Sequence, residues 1–163
     1  MPAGTSDMAT DFDFYAFDET ATNGLPWINI RGGNGSLNSN FDSQFSVGKG
    51  YLVAYTDNYS TEKAFSGDIT TASQNISLSY TASGAQGWNL IGNPYSASID
   101  WNIVDKSPLA DNNFYVYDNS ANGGAGDYVY YNGTSGTTSQ YISPAQGFFR
   151  ECKYIWNTQF IKY

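Results

Sequence analysis

Side chains able to carry out enzymatic chemistry are scarce in this sequence. Histidine is absent, and Cys152 is the only cysteine among 163 residues. Serine–histidine and cysteine–histidine nucleophiles are therefore excluded, together with imidazole acid–base catalysis. A tetrahedral zinc site of histidine and cysteine ligands is excluded as well. No glycine-rich motif for binding nucleotide phosphates occurs. Catalysis would therefore have to rest on carboxyl groups.

Glycoside hydrolysis requires only a pair of carboxyl groups, so the absence of histidine does not exclude it. The three glutamates, Glu19, Glu62 and Glu151, accompany twelve aspartates. None of these residues lies in a recognisable acid–nucleophile pattern, and each is also explained as a solvated residue of a strand or turn. We therefore predict that the protein is not an enzyme.

Aspartates near glycine-rich loops indicate a second kind of chemistry, the binding of Ca²⁺ by carboxylates and carbonyls. Asp118 and Asp127 flank Gly123-Gly-Ala-Gly126, which misses a Gly-Gly-x-Gly-x-Asp loop because its Asp arrives one residue early. The alternative is a glycine-rich hairpin with two solvated acids. We predict no cofactor and keep Ca²⁺ at Asp118 and Asp127 as a hypothesis. A weaker group of acids lies near the N terminus: Asp11, Asp13 and Asp18.

Aromatic residues carry the main binding signal. The chain contains 14 Tyr, 10 Phe and 4 Trp, together 17% of its residues. The apolar face of a sugar ring stacks on a flat indole or phenol, while Asn, Gln, Asp and Tyr pair with its hydroxyls. An aromatic side chain of a β-rich protein is nevertheless more often part of the core. Four residues are candidates for stacking on a ligand: Trp27, Trp101, Tyr128 and Tyr130.

Two of these candidates occupy corresponding places in a repeated pattern. Trp27 follows a proline beside a glycine-rich loop, and Tyr128 is its counterpart about one hundred residues later. We therefore predict that the two rings form equivalent exposed platforms. Alternation along a strand places Tyr128 and Tyr130 on one face, and Val129 and Tyr131 on the other.

The other three tryptophans, Trp88, Trp101 and Trp156, lie in different local patterns. Trp101 ends a loop motif, where it either plugs the end of a β-sandwich or meets a ligand. Trp88 lies in an alternating strand pattern and is expected in the core. Trp156 lies in the apolar run Tyr154–Phe160, which predicts an edge strand. That strand either pairs into the sheet or adds to a partner chain.

Composition narrows the class of partner. The net charge of −8 repels polyanions, so nucleic acid and anionic membranes are poor candidates. No apolar run reaches transmembrane length. Low lysine content with abundant Tyr, Asn, Gly and Thr, and no possible disulfide, is typical of a bacterial extracellular or cell-surface protein. Residues 1–11 lack the pattern of a signal peptide and are expected to be a boundary segment.

Short aromatic and β-branched runs between Gly-, Asn- and Ser-rich breaks predict an all-β, antiparallel chain. The predicted strands are Phe12–Phe17, Trp27–Arg31, Tyr51–Thr56, Lys63–Thr70, Asn75–Thr81, Trp88–Gly92, Asn113–Asp118, Tyr128–Asn132, Gln140–Ile142, Gly147–Glu151 and Tyr154–Phe160. A short helical turn is expected around Ser98–Val104, with Ser98 as its cap. Asn-Gly pairs indicate hairpin turns, at Asn23-Gly24, Asn34-Gly35, Asn122-Gly123 and Asn132-Gly133.

The sequence also repeats itself. Asp13–Asp18 returns as Asn113–Asp118, followed in each case by an Asn-Gly break, an aromatic strand and a Gly/Ser/Asn loop. Each series closes on a glycine-led strand, Lys49–Val53 or Gln146–Arg150. We therefore predict two repeat copies, about 12–86 and about 87–163, within a single all-β domain of residues 12–163. Two copies are too few for a solenoid, so we expect an antiparallel β-sandwich, or a closed barrel, with pseudo-twofold symmetry.

A family resemblance rests on an ordered set of motifs. They are Gly87-Trp-Asn-Leu-Ile-Gly-Asn-Pro-Tyr95, Ser98-Ile-Asp-Trp101, Phe114-Tyr-Val-Tyr-Asp118 and Ile142-Ser-Pro-Ala-Gln-Gly-Phe-Phe149. This set resembles a β-rich domain common in large secreted proteins of Bacteroidetes-type bacteria, often just ahead of a sorting domain for type IX secretion. The resemblance implies an accessory module attached to adhesins, polysaccharide-degrading enzymes or matrix proteins. It supplies no catalytic residue.

Two functions follow as hypotheses. The first is a non-catalytic carbohydrate-binding module of a secreted bacterial protein, whose exposed aromatics stack on a polysaccharide or cell-surface glycan. The second is an extracellular structural or adhesive module that assembles with other protein copies through its strand edges. Neither involves nucleic acid or membrane insertion.

Overall fold

The prediction of an antiparallel all-β fold is confirmed. A computed structural model describes residues 12–30, 38, 44–55, 67–106, 109–153 and 159–162. Its strands are β1 (Phe12–Phe17), β2 (Trp27–Asn29), β3 (Tyr51–Tyr55), β4 (Asn75–Leu78), β5 (Trp88–Gly92), β6 (Ile99–Asp100), β7 (Phe114–Asp118), β8 (Asp127–Tyr131), β9 (Tyr141–Ile142), β10 (Gly147–Glu151) and β11 (Gln159–Lys162). The helical pieces of this part of the chain are a 3₁₀ turn, Trp101–Ile103, and a helical turn α1, Ala121–Gly124.

The strands form two larger and two smaller sheets. The larger sheets have the strand orders β2-β1-β3 and β5-β10-β7-β8, and the smaller ones pair β11 with β4 and β6 with β9. Every ladder among them is antiparallel. None of the helical segments within the described residues has the length and apolar character needed to cross a bilayer.

The two larger sheets are joined where the approach to β3 meets β5. Lys49 forms an isolated antiparallel bridge with Ile91. Beside it, the backbone N–H of Gly50 donates to the carbonyl of Leu90 at 3.1 Å, and that of Gly92 donates to Gly48 at 2.9 Å. A Cβ atom on Gly50 would lie 2.6 Å from the carbonyl oxygen of Ile91. Glycine at position 50 therefore permits this close approach of two backbones.

The two halves of the chain share a strand order. In the first half the order β2-β1-β3 places the first strand between the second and the third. In the second half β8-β7-β10 does the same. The aromatic motif that the sequence repeats thus forms the central strand of each three-stranded unit.

The register of pairing is equivalent as well. Phe17 lies opposite Trp27 in the first half, and Tyr117 lies opposite Tyr128 in the second. The turn after the central strand is also shared. The Asp18 carboxylate accepts from the Thr20 N–H and hydroxyl, and the Asp118 carboxylate accepts from the same two groups of Ser120. Order, register and turn all support the predicted duplication.

Alternation along the central strands separates two kinds of face. Phe14 and Ala16 of β1 are buried, as are Phe114 and Val116 of β7. The buried side chains form two hydrophobic clusters, a small one around β1 and a larger one around β7 and β10. The opposite face of each unit carries aromatic residues that are only partly buried. The sheet faces away from these clusters are therefore those available to a ligand.

Several predicted elements differ from the structure. No strand forms over the described residues 67–70, and residues 63–66 lie outside the described part. The expected helical turn around Ser98–Val104 forms as the 3₁₀ turn Trp101–Ile103, but the predicted Ser98 cap is wrong, because Ile99–Asp100 pairs with β9 and the turn begins only at Trp101. Asp100 caps that turn by accepting from the Asn102 N–H at 3.0 Å. The predicted segment 154–158, with Trp156, lies outside the described residues, as do Glu62, Asp11 and Asn34-Gly35.

Glu19 is buried and hydrogen-bonded, whereas the sequence suggested a solvated residue. Its side chain is 4% exposed. One carboxylate oxygen accepts from the backbone N–H groups of Thr81, at 2.6 Å, and Gly87, at 2.9 Å. The other accepts from the Thr81 hydroxyl at 3.0 Å. Glu19 thus ties the turn after β1 to the segment between β4 and β5.

Candidate ligand-binding site

Five aromatic side chains from both halves form one connected group, which we call the aromatic cluster. Its members are Phe17, Trp27, Tyr117, Tyr128 and Phe149. They come from five strands, β1, β2, β7, β8 and β10, and each points away from the hydrophobic clusters because its strand neighbours point toward them. Strand alternation and the shared register thus assemble the aromatic cluster from two distant stretches of sequence.

Phe149 is the ring at which the two halves meet. Its centroid lies 5.1 Å from Phe17 and 5.9 Å from Trp27 of the first half. It lies 5.7 Å from Tyr128 of the second half. These three contacts have interplanar angles between 78° and 85°, the edge-to-face arrangement that the quadrupoles of aromatic rings favour.

Pairs within each half extend the aromatic cluster. Trp27 lies 5.1 Å from Phe17, and Tyr128 lies 5.3 Å from Tyr117, in the two equivalent register positions. Four more rings flank these pairs on the same faces: Tyr15, Trp88, Tyr115 and Tyr130. Together with the aromatic cluster, these four rings form one surface, which we call the aromatic surface, and it is larger than a single stacking platform.

Part of this surface is open to solvent. Tyr117 and Tyr128 are each 47% exposed, and Tyr130 is 40% exposed. Trp27 is half-buried against its neighbours. A ligand can therefore reach the phenol rings directly and the part of Trp27 that its neighbours leave accessible. Edge-to-face packing holds the rings in place before any ligand arrives, which reduces the entropy lost on binding.

Burial changes the acid–base properties of Tyr128. Partial removal from water raises the pKa of its phenol above the ordinary value, and the neighbouring Tyr117 phenol raises it further. The hydroxyl therefore stays protonated, as a donor and acceptor of hydrogen bonds, over the whole neutral range. A neutral phenol suits an uncharged, hydroxyl-rich ligand.

Trp101 does not belong to this site, and its selection as a stacking residue is wrong. It is fully buried. Its ring packs against Phe114 at 5.3 Å and Phe148 at 5.8 Å, and its indole N–H donates to the Asn112 carbonyl at 2.7 Å. The guanidinium of Arg150 lies 5.3 Å from the ring centroid. The indole plugs the core, which leaves no face for a ligand.

Trp88 also differs from its expected position. Its neighbours Asn89 and Ile91 are buried, whereas Trp88 is half-buried on the aromatic side of β5. Its ring lies 5.3 Å from Tyr115 and 6.4 Å from Phe149. Trp88 therefore packs beside the aromatic cluster, against Tyr115 and Phe149, and is not part of the buried core.

The two aspartates of the calcium hypothesis lie opposite each other. Asp118 and Asp127 form the last pair of the β7–β8 ladder. Hydrogen bonds from the Ser120 hydroxyl and N–H lower the pKa of Asp118, and Asp127 accepts from the Tyr128 N–H at 2.7 Å. A calcium ion takes about six to eight oxygens. No group of three or more acidic, histidine or cysteine residues suited to a metal occurs among the described residues.

Three of the four predicted stacking residues lie on the aromatic surface: Trp27 and Tyr128 in the aromatic cluster, and Tyr130 beside it. Sequence reasoning missed Tyr117 and Phe149. Both could have been found, because Tyr117 occupies an outward position of the repeated Phe-Tyr-Val-Tyr-Asp motif and Phe149 alternates with the buried Phe148. What the sequence did not contain is that Phe149 contacts rings of both halves.

Comparisons of the chain with models of known protein families, with curated proteins and with solved structures found no match.

Proposed function

We propose that this protein is a non-catalytic carbohydrate-binding module of a secreted bacterial protein, in which the aromatic cluster stacks on the rings of a polysaccharide. The proposal is supported chiefly by one observation: Trp27 and Tyr128, from equivalent positions of the two halves, both pack against Phe149 on one partly exposed surface. The resemblance to accessory domains of secreted Bacteroidetes-type proteins supports the same assignment.

The chemistry of the surface suits a neutral glycan. Aromatic faces take up the apolar C–H face of a sugar, and the Tyr hydroxyls donate to and accept from its hydroxyl groups. The net charge of −8 disfavours acidic polysaccharides. Because stacking and neutral hydrogen bonds carry the interaction, binding should depend little on ionic strength.

Affinity gel electrophoresis tests the proposal. Gels loaded with xylan, glucomannan, hydroxyethylcellulose or mixed-linkage glucan should retard the protein on at least one of these polymers. Trp27→Ala should weaken retardation roughly tenfold or more, as expected for a ring at the centre of a binding surface. Circular dichroism of the variant confirms that the fold survives.

Tyr141→Ala is the matched control. Tyr141 is an exposed tyrosine, 55% accessible, but it lies on β9 in a separate two-stranded sheet. Its removal should leave retardation unchanged. Wild-type protein that migrates freely on all four polymers, and that forms concentration-dependent assemblies on size-exclusion chromatography, would instead favour the structural or adhesive module.

A further inference from the structure

A chain of hydrogen bonds leads from the buried core to the aromatic surface. It begins at Arg150, which is fully buried and donates to the Oδ1 atom of Asp111 at 3.0 Å and to the Asp111 carbonyl at 2.6 Å. The Oδ2 atom of the same carboxylate accepts from the side-chain amide of Asn113 at 2.7 Å. That amide nitrogen also donates to the Tyr115 hydroxyl at 2.9 Å. The chain of hydrogen bonds therefore ends at a phenol of the aromatic surface.

The chemistry of the groups fixes the direction of each of these hydrogen bonds. A guanidinium only donates and a carboxylate only accepts, so the Nδ2 atom of Asn113, and not its Oδ1, must face Asp111. The two N–H bonds of that nitrogen are then divided between Asp111 and Tyr115. The Tyr115 oxygen is therefore an acceptor toward Asn113, and its own proton is left to donate elsewhere. Within the described residues this proton has no acceptor.

The same contacts hold the phenol in place. Asp111 binds Asn113 a second time, because its Oδ1 atom accepts from the Asn113 backbone N–H at 2.8 Å. The Tyr115 ring packs against Trp88 at 5.3 Å and against Tyr130 at 6.3 Å. Tyr115 and Asn113 are both half-buried, so neither is sealed from solvent. A donor whose position and polarity are set beforehand loses less entropy on binding than a freely rotating hydroxyl does.

The two halves of the chain differ at this position. Tyr15 corresponds to Tyr115 in the repeated motif, but Asp13 stands where the second copy has Asn113. Asp13 accepts from the Asn29 amide at 3.4 Å. A carboxylate has no proton to donate to a phenol, so Asp13 cannot direct the Tyr15 proton outward as Asn113 directs that of Tyr115.

We propose that Tyr115 is a specificity-determining residue of the glycan site, whose hydroxyl donates a hydrogen bond to an oxygen atom of the bound sugar. Asn113 is its positioning residue and acts on binding only through Tyr115. The inference deepens the proposed function and rests on it. Stacking on aromatic rings tolerates many sugars, because it uses the apolar face of the ring. A donor of fixed position instead favours those glycans that place an acceptor oxygen beside Tyr115.

Affinity gels at graded polymer concentration test this assignment, with whichever of xylan, glucomannan, hydroxyethylcellulose and mixed-linkage glucan retards the wild type. Tyr115→Phe keeps the ring and removes only the hydroxyl, so the dissociation constant should rise about three- to tenfold, as for one lost hydrogen bond. Asn113→Asp replaces the amide donor by a carboxylate, which takes up the phenol proton, and should cause a similar rise. The double variant should bind no more weakly than Tyr115→Phe alone, because both changes remove the same donor.

Tyr131→Phe is the matched control. The Tyr131 hydroxyl also bonds to an amide, donating to Asn102 at 3.2 Å, but Tyr131 is buried in the core. Its loss should leave retardation unchanged, and circular dichroism checks the fold of each variant. If Asn113→Asp does not fold, Tyr115→Phe alone decides.

Two results overturn the role of Tyr115: a Tyr115→Phe variant that binds as the wild type does, or a double variant in which the two losses add. Either result leaves the proposed function standing, provided that Trp27→Ala still weakens retardation. A wild-type protein that none of the four polymers retards overturns the proposed function and the donor together.

Discussion

Single buried polar residues connect parts of this chain that are far apart in sequence. Glu19 accepts three hydrogen bonds from Thr81 and Gly87, more than sixty residues away. Arg150 is fully buried and donates to both the side chain and the carbonyl of Asp111, at 3.0 and 2.6 Å. Burying a polar or charged group lowers the stability of the fold unless the group is hydrogen-bonded. The stability of this protein should therefore depend on these hydrogen bonds being kept.

Replacement of Glu19 tests this view. Glu19→Ala leaves the N–H groups of Thr81 and Gly87 without an acceptor, and each unpaired buried group costs about 1–3 kcal/mol. Glu19→Gln keeps the oxygen that both N–H groups use, and its amide nitrogen can donate to the Thr81 hydroxyl. Urea denaturation should therefore show a loss of about 2–5 kcal/mol for the alanine variant and a much smaller loss for the glutamine variant. Similar losses for the two would show that the hydrogen bonds contribute little.

Tyr128 predicts a dependence of stability on pH. Its pKa is raised above 10.0 in the folded protein, chiefly by burial. The folded state therefore holds the phenol proton more tightly than the unfolded chain does. This contribution to stability is fully present below the unfolded pKa and is lost as pH rises through the folded pKa. Ultraviolet difference titration of wild type against Tyr128→Phe should place the phenol midpoint above 10.0. A midpoint at or below that value would contradict the partial burial of the Tyr128 phenol.

At the scale of the element, the β7–β8 hairpin shows how turn glycines affect the aromatic cluster. Its connection holds Asn122 and Gly123 at φ 53° and 69°, as the Asn-Gly pair predicted. Gly124 and Gly126 also have positive φ, 90° and 81°. A Cβ on Gly126 would collide with the Tyr117 hydroxyl, whereas one on Gly124 would meet no atom within 4 Å.

A comparison of Gly126→Ala with Gly124→Ala separates the cost of the positive φ from the cost of the collision with Tyr117. Both variants force alanine into the left-handed region, at a cost of about 1–2 kcal/mol. Only Gly126→Ala should also displace Tyr117 from Tyr128, with a further cost of about 1–3 kcal/mol. Thermal unfolding measures the difference in stability, and affinity gels should show weaker retardation for Gly126→Ala alone. Equal behaviour of the two variants would mean that Tyr117 does not depend on this glycine.

At the scale of the whole molecule, the two halves are held together by backbone contact and by rings. Gly50 approaches β5 so closely that its N–H reaches the Leu90 carbonyl. Phe149 contacts rings of both halves. The halves are therefore expected to unfold as one cooperative unit.

Gly50→Ala tests that coupling. The added methyl group would meet the Ile91 carbonyl at 2.6 Å, so β3 and β5 would have to separate. Gly67→Ala is the control, because a Cβ there meets no atom of the described residues within 4 Å and its φ is not positive. Denaturation should show a loss of about 1–3 kcal/mol for Gly50→Ala and almost none for Gly67→Ala. An unchanged midpoint for Gly50→Ala would contradict the junction.

The positions of most strands, and the outward faces of β7 and β8, followed from the sequence by itself. Alternation along Phe114–Asp118 and Asp127–Tyr131 identified which residues share a face, and the repeated motif placed Trp27 and Tyr128 at equivalent positions. These properties are local, because a side chain's direction on a strand depends only on its parity and on its nearest neighbours.

The tertiary structure alone decided which of those faces are covered. Trp101 and Trp27 are both tryptophans beside loop motifs, yet one is fully buried and the other half-buried on the aromatic surface. Glu19, expected to be solvated, is covered by a segment more than sixty residues away. Coverage depends on how distant strands pack, and no local pattern encodes that packing. The aromatic cluster exists only because two separate halves bring their strands together.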